Sequence, residues 1–295
     1  MTRALVLGGG GPVGIGWEAG LLVGLRGNGV DVSKSDTVIG TSAGSVVGFT
    51  LASGDDLTQA IGDVGAAAGV EEGGPTSADA SEDLELLIAA LAEAAAHPEA
   101  AEAVRARLGK TALAARTMDE ERWLGMFSRF DGAAWPTGFS CTAVDTEDGK
   151  FQVWDERSGV DARAAVASSC AVPGIFPPVT INGRRWMDGG VRDMLNADVA
   201  DGHDVVLAVS CTLLEVPEEF GLPALDAVMG ATRSQLDRLR DGGSKVEVIV
   251  PGAEMLDISG YGLNLMDFSL AVAAYAAGIR QGESEAARLE GFWSS

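Results

Sequence analysis

Histidine is nearly absent: His97 and His203 are the only two in 295 residues. This leaves few imidazoles for metal binding or general-base work. Cys141, Cys170 and Cys211 are an odd, widely spread set without metal-ligand spacing. A disulfide framework and a zinc site are excluded, and buried reduced thiols are expected. Basic residues number 21 against 43 acidic ones, a formal net charge of −22. Such a field repels phosphate backbones, so nucleic acid is excluded as a partner. No uncharged apolar run approaches the roughly 18 residues of a membrane span. The nearest, Leu84 to Ala96, is broken by Glu85 and Glu93. The apolar run at the N-terminus stops at glycine, short of a signal-peptide core. A cytoplasmic location is expected, with no metal and no cofactor.

What the chain has is glycine, 40 residues of it, and a 46% hydrophobic composition able to bury a sizeable core. Strand-like and helix-like pieces alternate. Strands are expected at Ala4–Leu7, Thr37–Ile39, Gly138–Ala143, Phe151–Trp154, Val205–Ser210 and Val246–Val250, with helices at Ile15–Leu25 and Ala43–Leu51. That order implies α/β architecture with a mainly parallel sheet and right-handed crossovers. Between about Gly54 and Trp135 the texture turns to alanine, glutamate and arginine, which predicts a helical insertion, with Glu71 to Ser77 as an exposed loop. From Leu263 to Leu289, apolar residues at helical spacing (Leu265, Phe268, Ala271, Val272, Tyr275, Ile279, Ala286) predict one long helix packed on the sheet.

Two glycine-lined loops carry the chemistry. The first, Gly8 to Gly14, follows a strand and opens a helix, and contains the pattern G-x-G-x-x-G with Asp31 further on. It suits a dinucleotide site. It equally suits an oxyanion hole, where residues without side chains let N–H groups converge at a helix N-terminus. The second, Gly40-Thr41-Ser42-Ala43-Gly44, has the G-x-S-x-G form of a nucleophile elbow between strand and helix. A dinucleotide site has no use for that serine, so the elbow favours the oxyanion reading. Ser42 becomes the candidate nucleophile, with the N–H of Ala43 joining the first loop's donors; the bland alternative for Ser42 is an ordinary helix N-cap.

The serine needs a base. His97 stands at a polar helix end before Pro98, and His203 in a turn entering a strand from its N-terminal side, away from the carboxyl ends where open α/β sheets gather active sites. Asp188 is the better candidate. Val179–Ile181 and Arg184–Met187 flank Asn182-Gly183, a two-residue hairpin signal, and Asp188-Gly189-Gly190 follows at once. Glycines behind a carboxylate allow close approach, and burial beside Trp186 and Met187 would make it a stronger base. Taken alone, an Asp-Gly pair is more often a turn carboxylate capping its own backbone.

Together these residues resemble the patatin-like phospholipase family. The resemblance rests on Gly9-Gly10-Gly11-x-x-Gly14 as oxyanion loop, on Gly40-Thr41-Ser42-Ala43-Gly44 as elbow, on Asp188-Gly189-Gly190 as aspartate motif, and on the proline-rich stretch from Ala167 to Val179. It covers about Leu5 to Ala200. It implies a three-layer α/β/α sandwich over 5–200 with the insertion at about 54–135, residues 201–295 completing the same domain, a Ser42–Asp188 dyad, and hydrolysis of acyl esters in lipids with transient contact to a membrane or micelle. The chain departs from the pattern at Val13, where the family commonly carries a basic residue. Phospholipid is therefore less secure as substrate than ester chemistry. A silent lipid-binding or regulatory protein on the same scaffold, and an NAD-binding protein, are the alternatives.

Overall fold

The structure, a computed structural model, describes residues 1–62, 77–215 and 223–294. Along the chain run β1 (Arg3–Leu7), α1 (Gly11–Gly27), β2 (Thr37–Gly40), α2 (Ala43–Ala52), α3 (Ser77–Ala96), α4 (Ala101–Ala114) and α5 (Glu120–Gly125). Then come β3 (Phe139–Asp145), β4 (Phe151–Asp155), α6 (Ala162–Ser169), β5 (Val179–Ile181), β6 (Arg184–Asp188) and β7 (Val205–Val209). The chain closes with α7 (Pro223–Asp241), β8 (Lys245–Ile249), α8 (Ala253–Ser259) and α9 (Ala271–Ser294).

The sheet has the order β5-β6-β3-β2-β1-β7-β8, with β4 paired to β3. The stretch from β3 to β8 is parallel, while β4 and β6 run antiparallel to β3. Alternation along β1 decides the layering, since successive strand residues face opposite sides. Leu5 and Leu7 pack with Trp17, Leu21 and Ala274, from α1 and α9. Ala4 and Val6 pack with Leu236 and Leu239 of α7. The result is a three-layer α/β/α arrangement. Among the described residues no helix is long and apolar enough to cross a membrane.

Three expectations are corrected. Helix α1 starts at Gly11, not Ile15, because Pro12 in its first turn has φ already set for a helix. The long C-terminal helix starts at Ala271, not Leu263. Gly260, Tyr261 and Gly262 all have positive φ, which reverses the chain, and the Leu265 carbonyl accepts from the Val13 N–H instead of a helical donor. Val272, expected in the buried stripe, is 66% exposed. Where α9 crosses α1 its buried residues are small (Ala271, Ala274, Ala277, Gly278), because the helices approach closely: a Cβ at Gly16, Gly20 or Gly278 would lie 2.1–2.2 Å from a carbonyl oxygen of the other helix. Of the loop expected at Glu71 to Ser77, residues 71–76 lie outside the described residues and Ser77 opens α3.

Candidate functional site

Strand β3 brings the two motifs together. Its Phe139–Cys141 pair with the end of β2, and its Ala143–Asp145 pair with the end of β6. Since β4 holds the other edge over Ser140–Val144, β2 and β6 approach each other along one edge of β3. Gly40 stands opposite Cys141 and Asp188 opposite Ala143, so the elbow and the aspartate face each other two residues apart along that strand.

Ser42 holds φ 52 and ψ −116, a backbone conformation that non-glycine residues avoid. Its side chain makes no capping bond, so the N-cap alternative does not hold. The strain is held from several sides. The Ser42 N–H donates to Ser169 Oγ at 3.0 Å, and the Ser42 carbonyl accepts from Ser45 Oγ at 2.6 Å and from Cys170 Sγ at 3.3 Å. The turn closes only with glycine at its shoulders: a Cβ at Gly44 would lie 2.2 Å from Leu7 O, and one at Gly40 2.4 Å from Gly44 O.

Asp188 is 4% exposed. Its Oδ1 accepts from the Gly190 N–H at 2.6 Å, the turn-capping bond anticipated for an Asp-Gly pair. Its Oδ2 is buried with no hydrogen-bond partner. Desolvation raises its pKa from 3.8 to about 7, against the lowering influences of the Ser42 hydroxyl and the Gly190 N–H. The hydroxyl is thus among the groups that act on the carboxyl, while Oδ2 keeps no hydrogen-bond partner of its own, and catalytic bonds often close only when substrate binds.

The first loop lies against the elbow: the Gly44 N–H donates to Gly8 O at 3.0 Å. Donor by donor, the Gly9 N–H is taken by Met194 O, that of Val13 by Leu265 O and that of Gly14 by Gly10 O. The N–H groups of Gly10, Gly11 and Ala43 have no acceptor among the described residues. Gly11 and Ala43 open α1 and α2, so two helix N-termini converge beside Ser42.

In front of Ser42 lies an apolar cleft of about 600 Å³, counting its open mouth. Trp123 and Phe176 stack in it at 4.0 Å, Phe127 meets Trp123 edge-on at 4.9 Å, and Met126, Met266 and Phe268 also line it. Among the described residues, none that lines the cleft carries a formal charge.

The other candidates fall elsewhere. His203 bonds Ala200 O and the Thr37 hydroxyl at the N-terminal end of β2, the opposite end of the strands from the elbow; His97 is exposed beside Glu99. Asp31 caps its own turn through Ser33 and precedes β2, which puts the acid of the dinucleotide pattern before the N-terminal end of that strand. Val13 is fully buried. The three cysteines are free and buried, and among the described residues no cluster of His, Cys, Asp or Glu could hold a metal.

Sequence reading missed the residues that hold the site. Asn196, buried with φ 52, donates through Nδ2 to Thr41 Oγ1 at 3.1 Å and Gly189 O at 3.2 Å, tying elbow to aspartate motif. Thr142 on β3 bonds the Thr41 hydroxyl at 2.8 Å. The proline-rich stretch also has a positioning part: Ser169 holds the Ser42 N–H, and Ala171 O accepts from the Asp188 N–H at 3.0 Å. An asparagine eight residues after an aspartate carries no spacing signal; its role exists only once the loop is folded.

A sequence model described as patatin-like phospholipase matches residues 5–201. Uncharacterized NTE family proteins of Mycobacterium bovis and Mycobacterium tuberculosis are 31% identical over 122 residues, 41% of this chain and 32% of theirs. The chain thus matches about a third of the length of these curated relatives. The crystal structure of VipD from Legionella pneumophila is similar at 15% identity, with a TM-score of 0.42, over 96% of this chain and 67% of that one.

Proposed function

Because the chain belongs to the patatin-like phospholipase family, we propose that it hydrolyses acyl esters of lipids with Ser42 as nucleophile and Asp188 as its base. The observation that carries this reading is the buried, unpartnered Oδ2 of Asp188 beside a strained serine whose hydroxyl acts on that carboxyl. Asp188 takes the Ser42 proton as Oγ attacks the acyl carbonyl carbon. The carbonyl electron pair moves to oxygen, where the free N–H groups of Gly10, Gly11 and Ala43 are the oxyanion donors. Collapse expels the alcohol, which leaves with the proton held by Asp188. Water then attacks the acyl-enzyme with Asp188 as base again and releases the fatty acid.

The cleft suits an acyl chain. With no charged lining residue among the described residues and Val13 in place of a cation, a phosphate group finds no counter-charge there, so uncharged esters are the expected substrates ahead of phospholipids. Contact with a micelle or membrane falls to the turn before α9, where Tyr261 is 55% and Leu263 77% exposed, in the same segment as the cleft residues Met266 and Phe268. The test is labelling by a fluorophosphonate. One equivalent is expected on Ser42, lost in Ser42→Ala and matched by cleavage of a medium-chain nitrophenyl ester. Lipid binding without labelling would instead show a silent scaffold, and esterase activity persisting in a folded Ser42→Ala variant would sink the proposal.

A further inference from the structure

Helix α1 carries a carboxyl that the mechanism above leaves unused. Gly11, Gly14 and Glu18 stand at i, i+3 and i+7 on that helix, one face over two turns, so Glu18 lies beneath the glycine loop. It is fully buried, and neither carboxyl oxygen has a hydrogen-bond partner. The groups that act on it are the Cys211 thiol, just past the end of β7, and the Gly8 N–H. Cys211 in turn presses on the loop from below: a Cβ at Gly10 would lie 2.5 Å from its Sγ, and one at Gly14 3.0 Å. Cys211 thus packs under Gly10 and Gly14, below a free N–H of the first loop, and Glu18 lies one turn further along the same face of α1.

We propose that Glu18 is a positioning residue for acyl transfer that works only as the neutral acid: through Cys211 it seats Gly10, and its carboxylate would place an anion behind the oxyanion donors. The inference rests on the Ser42–Asp188 reading. A buried carboxylate without a partner is costly, and burial pushes the Glu18 carboxyl well above its ordinary value. Among the described residues no positive group acts on it. The influences on Glu18 are Cys211 and Gly8 alone; Tyr275 on the crossing helix α9 responds to Asp56 and Arg26, and Asp188 to Ser42 and Gly190. The active form thus pairs an ionised Asp188 with a protonated Glu18, two carboxyls that burial affects alike but that chemistry needs in opposite states.

The experiment is the pH profile of kcat/KM on a water-soluble nitrophenyl ester, for the wild type and Glu18→Gln. Activity should rise through about pH 7 with Asp188 and fall at least tenfold on the alkaline side as Glu18 ionises. Glu18→Gln should keep the acid limb and lose the alkaline one. An unchanged alkaline limb in Glu18→Gln, or none in the wild type, overturns the proposal while leaving the dyad standing. A protein inactive and unlabelled at Ser42 would sink the dyad, and this inference with it. Should Glu18→Gln not fold, infrared spectra of wild type labelled with ¹³C-glutamate separate Glu18 from the buried Asp188 and Asp193. Its neutral carbonyl band must then be present at pH 7 and fade in step with the alkaline loss of rate; a missing or unlinked band refutes the role.

Discussion

Replacing Asp188 with asparagine should abolish turnover and at the same time stabilise the fold, by an amount that depends on pH. The carboxyl is 4% exposed and its pKa is raised from 3.8 to about 7. A folded-state pKa above the unfolded one means that the native protein binds the proton more tightly. Stability is unaffected by the site below about pH 4, declines as the pH climbs toward 7, and carries the full penalty above it. At about 1.4 kcal/mol per unit, a rise from 3.8 to about 7 corresponds to about 4 kcal/mol. The amide introduced by Asp188→Asn cannot ionise and keeps a carbonyl to accept the Gly190 N–H, so the variant escapes that penalty. Thermal or urea unfolding of both proteins between pH 5 and 8.5 measures the gap, which should widen with pH to about 5–10 °C in Tm. A variant no more stable than wild type at pH 8, or a difference that stays constant with pH, would refute the claim that desolvation sets this carboxyl.

Other outcomes follow from the same geometry. Ser42→Gly should end fluorophosphonate labelling and raise stability by about 1–3 kcal/mol, because glycine accepts φ 52 and ψ −116 without strain; urea unfolding checks it. Gly44→Ala should fail to accumulate as folded protein, since its Cβ would sit 2.2 Å from Leu7 O, and soluble yield with circular dichroism reads this directly. Met126→Trp should narrow the cleft in front of Ser42 and, if that cleft takes the acyl chain as proposed, lower kcat/KM for decanoyl esters far more than for acetyl esters, a selectivity that equal losses on both would contradict. Asn196→Ala should cost about 2–4 kcal/mol and reduce kcat more than KM, as elbow and aspartate motif lose their shared donor.

The sheet was legible where residues specify their own conformation. The Asn182-Gly183 hairpin, the apolar strand β1 and the elbow glycines each dictate local geometry through sterics or side-chain period, and each stands where the sequence places it. Legibility failed at Leu263 to Leu270, where helical spacing was present but the Leu265 carbonyl met a distant donor, Val13 N–H. It failed again at Val272. A hydrophobic period says which residues can face a neighbour, whereas the crossing of α1 and α9 is set by glycines on both helices that let the backbones touch.

The amino-acid sequence by itself determined the kind of chemistry available here. With two histidines, a G-x-S-x-G elbow, a glycine loop and an Asp-Gly-Gly, it presents an elbow serine with no imidazole in a suitable setting and a carboxylate as the candidate proposed in its place. Motifs of this kind are short and local, so their residue types survive as a linear signal. Only the tertiary structure decided which groups meet and in what state of charge. It shares β3 between the ends of β2 and β6, leaves Asp188 Oδ2 unpartnered, buries Glu18 on the α1 face below the first glycine loop and, among the described residues, lines the cleft without charge. Desolvation and packing are properties of the assembled volume around a group, to which residues far apart in the chain contribute.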